Sequence, residues 1–113
     1  MIWVQIAIGG ALGAMLRYGV GLAVAFPIGT LAVNIFGSFL MGLAFVLLGT
    51  RAGGPFVMIG LLGGFTTFSA FSLDVFRLYE AGRLAAAGGY VAVSVMLSIF
   101  ALFVGIYLAR AVS

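Results

Sequence analysis

Charge is nearly absent from long stretches of this chain, and that constrains its fold more than any motif does. Ala52–Leu73 and Leu84–Ala109 carry no charged side chain, and the first fifty residues carry one, Arg17. A helix that crosses the hydrocarbon core of a bilayer needs about 20 consecutive apolar residues, and each of these intervals supplies them. With 65% hydrophobic residues and 6% charged, a soluble globule could not cover its surface. The spacing predicts a single all-α integral membrane domain, 1–113, with four transmembrane helices at roughly 2–25, 30–50, 55–79 and 84–110. Phe26-Pro27-Ile28-Gly29, Arg51–Gly54 and Glu80–Arg83 make the connections. Segment 2–25 lacks a basic lead and carries Arg17 deep inside, so it is expected to remain as a helix and not to be cleaved as a signal peptide.

Composition also removes whole classes of chemistry. There is no cysteine and no histidine, so disulfides, thiolate metal sites and the commonest general base are excluded. Two acidic residues, Asp74 and Glu80, leave little for paired-carboxylate catalysis, and an enzyme is not expected. The net charge of +3 comes from Arg17, Arg51, Arg77, Arg83 and Arg110, scattered singly; no nucleic-acid surface is implied.

Four helices put both termini on one side of the membrane. Arg51 and Arg110 fall on that side, Arg77 and Arg83 on the other, with Asp74 and Glu80 partly offsetting the latter pair. The positive-inside bias therefore has almost nothing to act on. Either one weak bias fixes a single orientation, or copies insert both ways and pair antiparallel. The second is favoured, because four short helices enclose little protected space alone. Gly9-xxx-Gly13 and Ser38-xxx-Gly42 offer small-residue spacings for close helix contact.

Polar groups in hydrocarbon are costly, so each needs an account. Asn34 sits in the second helix with Ser38 one turn later on the same face. Its ordinary role is interhelical glue, but its amide also offers two donors that an anion could use. In the fourth helix Tyr90, Ser94 and Ser98 recur every fourth residue, forming one stripe of hydroxyls. A single membrane serine usually bonds its own backbone; three in register favour a polar track.

The densest signal is GGFTTFSAF, Gly63–Phe71. Adjacent glycines followed by Thr66 and Thr67 make a poor helix interior, here at about mid-depth. This pattern fits a kink against a close neighbour. It also fits a third helix broken mid-membrane, whose freed carbonyls would have to be satisfied by protein, water or a cation. Phe68 and Phe71 share a face, and an aromatic ring presents a positive edge that can meet a small anion without trapping it.

GGALGAMLRY (Gly9–Tyr18), GTLAVNIFGSFLMG (Gly29–Gly42) and GGFTTFSAF, in this order, resemble the signature blocks of the Fluc or CrcB fluoride channels across nearly the whole chain. The resemblance implies a fluoride-selective channel that passively exports fluoride across a bacterial or archaeal cytoplasmic membrane. It implies an antiparallel, dual-topology homodimer with two fluoride pathways and a structural, untransported sodium ion (Na+) at its centre. By position it implies Asn34, Phe68, Phe71, Tyr90, Ser94 and Ser98 as the fluoride pathway, and main-chain oxygens of Gly63 and Thr66 as the sodium ligands. Arg17 matches the family's first-helix arginine, with no role assigned. Ala70 departs from the pattern, standing between the two phenylalanines where the family often has threonine.

The pathway reading is physically coherent. Fluoride holds water tightly, so a selective route must offer amide N–H groups, hydroxyls and ring edges in its place. The alternative is a small dual-topology proton-coupled multidrug antiporter, which needs a membrane-embedded carboxylate. The chain has no acid before Asp74, itself placed near Arg77 at the end of the third helix. A subunit without transport would require the polar stripes to be coincidental.

The balanced arginines carry a direct expectation. A label at the C-terminus should react from both faces of the membrane within one population; reaction from one face alone would rule out dual insertion.

Overall fold

The computed structural model describes residues 1–113 and is wholly helical: α1 (Ile2–Ala23), α2 (Ile28–Leu47), a π-helical stretch (Pro55–Leu62) running straight into the single turn α3 (Gly63–Phe65), α4 (Ser69–Glu80) and α5 (Leu84–Val112). Four spans are long and apolar enough to cross a membrane: Ile2–Ala23, Ile28–Leu47, Pro55–Glu80 and Leu84–Val112. The long dimension of 47 Å suits a bilayer with its interfacial layers. Only 20 of 113 residues are buried, and large apolar side chains such as Trp3, Phe36, Met96 and Phe100 face outward. Such a surface is at rest in lipid or against another apolar surface, not in water.

The boundaries differ slightly from those expected, for local reasons. The chain leaves α1 at Val24, whose backbone is extended, and re-enters helix directly behind Pro27, which lacks an N–H that a first turn would leave unused anyway. Helix α2 stops at Leu47, short of residue 50, and Gly49 follows with positive φ. At the end of α4, Gly82 has φ +76, Arg83 N–H donates to Leu78 O and Gly82 N–H donates to Tyr79 O. That is the left-handed glycine stop that satisfies the last carbonyls of a helix.

Glycine sets how the spans pair. Helix α1 lies against the π-helical stretch and α3, while α2 lies along α5. A Cβ on Gly9 would come within 2.8 Å of Leu61 N, and one on Gly64 within 2.6 Å of Gly10 O. On the other contact, a Cβ on Gly42 would lie 2.9 Å from Ile106 N and one on Gly105 3.1 Å from Leu43 N. Backbone thus touches backbone, the packing that dispersion rewards in a solvent as apolar as leucine. Both small-residue spacings read in the sequence have a member at these crossings: Gly9 and Gly13 on α1, and Gly42 on α2. A partner spacing, Gly60 and Gly64, answers from the third span.

Substitution at Gly13 should therefore differ from substitution at Gly19. A Cβ on Gly13 meets backbone at 2.7 Å from Phe65 N, whereas nothing lies within 4 Å of Gly19. Gly13→Val is expected to cost about 1–3 kcal/mol or more through overpacking. Gly19→Ala should be neutral or stabilising by about 0.5–1 kcal/mol through helix propensity. Unfolding in mixed micelles, read by circular dichroism, measures both.

Candidate functional site

Between Phe65 and Ser69 the third span interrupts its helical run. Thr66 adopts φ −82° and ψ 158°, an extended conformation, so its carbonyl and those before it cannot all find the amide one turn ahead. In hydrocarbon each unmet backbone group would cost several kcal/mol, on the order of a lost hydrogen bond or more. The structure answers with side chains. Arg17 Nε donates to Gly64 O at 3.2 Å from α1. Asn34 Nδ2 donates to Thr67 O at 2.9 Å from α2, and Thr67 N–H donates back to Asn34 Oδ1 at 2.9 Å. Thr66 Oγ1 donates to Leu62 O, and Ala70 N–H donates to Thr67 Oγ1, which caps the first turn of α4.

This segment forms one wall of a cleft of about 410 Å³ lined by Asn34, Ser38, Gly63, Thr66, Thr67, Phe68, Phe71, Ser94, Val95, Ser98 and Ile99. Five of the six residues expected to form the pathway meet there: Asn34, Phe68, Phe71, Ser94 and Ser98. Gly63 and Thr66, the expected cation ligands, line it too. No charged side chain does. Phe68 is 75% exposed and Phe71 7%, with ring centroids 5.3 Å apart and planes at 51°. The Oγ atoms of Ser94 and Ser98 are buried without a hydrogen-bond partner. Neither serine bonds its own helix, the usual fate of such a residue. Their hydroxyls are free to donate.

Tyr90 is placed differently. It does not line the cleft: its ring packs on Phe71, centroids 5.4 Å apart, and its hydroxyl donates to Asp74 Oδ2 at 3.0 Å. Asp74 is 5% exposed, and Arg77 Nη1 stands 3.6 Å from its Oδ1. The sequence placed Asp74 beside Arg77 but held no sign of its burial or of its bond to Tyr90. Those facts depend on α4 packing against α5, which spacing along one helix does not reveal. Arg17 also stands apart from the cleft, behind the break.

A hard cation could be held here by carbonyls alone, since no cluster of three acidic, histidine or cysteine residues exists. Gly63 O and Thr66 O are suited to it. The amides that would meet them one turn ahead, those of Thr67 and Ala70, are bonded instead to side-chain oxygens of Asn34 and Thr67.

Comparison with known proteins agrees with the pattern of blocks. The profile of the family described as "CrcB-like protein, Camphor Resistance (CrcB)" matches residues 4–106. The chain belongs to the CrcB family. A protein named fluoride-specific ion channel FluC from Paracoccus denitrificans (strain Pd 1222) is 50% identical over 116 residues, covering 96% of this chain and 94% of its own length. Another of that name, from Cereibacter sphaeroides (strain ATCC 17029 / ATH 2.4.9), is 51% identical over 114 residues, covering 94% and 92%. A third, from Hyphomonas neptunium (strain ATCC 15444), is 47% identical over 117 residues, covering 93% and 92%. In the chain described here an uncharged cleft, two tilted phenylalanine rings in contact and a side-chain-braced break occur in one place.

The buried Asp74–Tyr90 pair yields a stability prediction. Tyr90→Phe leaves the ring on Phe71 but removes the hydroxyl from a buried carboxylate, at a cost of about 1–3 kcal/mol. Tyr79→Phe, on an exposed tyrosine of α4, should change stability by less than about 0.5 kcal/mol. Unfolding midpoints of the two variants compared with the parent measure the difference.

Proposed function

We propose that this protein is a fluoride channel of the cytoplasmic membrane, conducting passively and thereby lowering intracellular fluoride. The observation that carries the reading is the uncharged cleft in which the Asn34 amide, two serine hydroxyls without partners and two phenylalanine rings converge. A small anion that sheds water needs donors of modest strength in a row; a fixed cation would hold it too long. Ser94 and Ser98 supply hydroxyl donors, and Asn34 retains one N–H beyond the one given to Thr67 O. Phe68 and Phe71 supply the positive edges of aromatic rings. Tyr90 and Asp74 lie just beyond Phe71 and set the end of the polar track.

The same reading makes the functional unit an antiparallel homodimer in the bilayer. The apolar exterior of the single chain and its near-balanced arginines support it. The break in the third span lies at mid-membrane depth in this arrangement. Main-chain oxygens of Gly63 and Thr66 from both copies then hold a sodium ion, which supplies a fixed charge that ties the two chains together. That the helical donors of these two oxygens are engaged elsewhere supports the assignment.

An antiporter is not favoured. Its proton-carrying acid would have to be Asp74, which accepts a bond from Tyr90 and faces Arg77 away from the cleft. The FluC relatives are channels by name, and transport without catalysis is the activity proposed.

Fluoride efflux from liposomes, followed with a fluoride electrode, tests the reading. Phe68→Leu and Phe71→Leu keep apolarity and most of the volume, so packing alone would lose about 1–2 kcal/mol, more at buried Phe71 than at exposed Phe68. If the ring edges serve the anion, each change should slow efflux by an order of magnitude or more while size exclusion shows an intact assembly. Efflux near the parental rate in both variants would refute the aromatic pathway.

A further inference from the structure

The third span loses its helical bonds over a few residues only, and the accounting of donors there is specific. Four hydrogen bonds bear on which carbonyls stay free. The Thr67 amide, the helical donor for Gly63 O, is drawn off by Asn34 Oδ1 at 2.9 Å. The Ala70 amide, the helical donor for Thr66 O, is drawn off by Thr67 Oγ1 at 3.1 Å. Between these two carbonyls, Gly64 O is occupied by the Arg17 guanidinium, while Phe65 O accepts no backbone amide across the break. Thr67 O, just after them, is occupied by Asn34 Nδ2.

We infer that Thr67, with Asn34 and Arg17, is a positioning residue that selects the carbonyls of the break available to a cation, by diverting the two amides that would otherwise close the helix over Gly63 O and Thr66 O. The inference rests on the cation site proposed above and adds the residues that create it. Arg17 contributes by exclusion: its bond takes Gly64 O out of the ligand set. Thr67 contributes through its Oγ1 alone, since its main chain is engaged by Asn34. A hydroxyl at the cap of α4 competes with the backbone carbonyl for the same amide, the way such residues end or begin helices elsewhere. Without that oxygen the Ala70 amide returns to its helical acceptor, Thr66 O. Accepting it draws Thr66 from its extended conformation toward helix, and turns that carbonyl along the helix axis, away from a cation.

Thr67→Val and Thr67→Ser separate this role from packing. Valine keeps the branched shape and loses the acceptor; serine keeps the acceptor and loses the methyl. In micelles, with threonine labelled by carbon-13, the Thr66 α-carbon resonance should move toward its helical position in Thr67→Val and stay extended in Thr67→Ser. The thermal unfolding midpoint of the full protein, titrated with sodium chloride against N-methylglucamine chloride at constant ionic strength, gives the second readout. Apparent sodium affinity should fall about ten- to hundredfold in Thr67→Val, as when a metal's outer partners are lost, and return in Thr67→Ser. An unmoved Thr66 resonance in Thr67→Val overturns the diversion. A loss of stability equal in sodium and in N-methylglucamine would show Thr67 to be structural only and overturns its role toward the cation. If the parent itself shows no sodium dependence, the sodium reading fails, and the Thr66 resonance still decides the diversion by itself.

Discussion

Inside a bilayer there is no water to take over a hydrogen bond that a helix gives up, so any interruption must be met by protein. The rest of this structure follows from that constraint acting at Thr66–Phe68. Arg17 of α1 and Asn34 of α2 both reach into the same few residues of backbone. Each would be costly in hydrocarbon alone, and the broken backbone would be costly alone; together they offset one another. Removing either partner leaves the other part-buried and unmet, which is why the break, Arg17 and Asn34 form one unit.

Close approach is what makes this exchange possible. Arg17 lies one helical turn beyond Gly13, on the face that meets Phe65 and Gly64 through glycine-to-backbone contact. A larger residue at Gly9, Gly13 or Gly64 would push α1 outward, and a guanidinium bonding at 3.2 Å has little length to spare. On the other flank, Gly37 faces Phe65 and Thr66 one turn beyond Val33, bringing Asn34 within reach of Thr67. Small residues thus act on the site without touching its chemistry: they set the distances at which polar side chains can substitute for a helix.

Much of this was legible in the chain and some was not, and the division follows interaction range. The four spans could be read from charge spacing because the bilayer imposes a length on each one separately. The gathering of Asn34, Phe68, Phe71, Ser94 and Ser98 about one cleft agrees with faces read from helical periodicity, which holds within a helix whatever its neighbours. Tyr90 shows the limit. It shares the stripe with Ser94 and Ser98, yet its longer side chain carries the hydroxyl past the cleft to Asp74 on α4. Arg17 was visible as an intramembrane charge, but its acceptor lies 47 residues away in sequence and is a main-chain atom, which no residue type announces. Thr67 was passed over for a similar reason: as part of a threonine pair it reads as a poor helix former, and only the geometry assigns its oxygen to the Ala70 amide.

The electrostatics of the two sides of the break now fit together. On the α1 side, a guanidinium meets a carbonyl, and the positive charge stays behind the backbone. On the cleft side, the lining is neutral: hydroxyls, one amide, rings and two carbonyls that have lost their helical donors. On the pathway proposed above, an anion in the cleft would be attracted by Arg17 without contacting it, because unit charges separated by intervening protein interact far less than a contact pair. A cation at the freed carbonyls would act from the opposite direction in the same way. On that proposal the charge that favours an anion is kept out of its path, and the groups in the path contribute only dipoles, which meets the requirement that binding be strong enough to admit an ion and weak enough to let it leave.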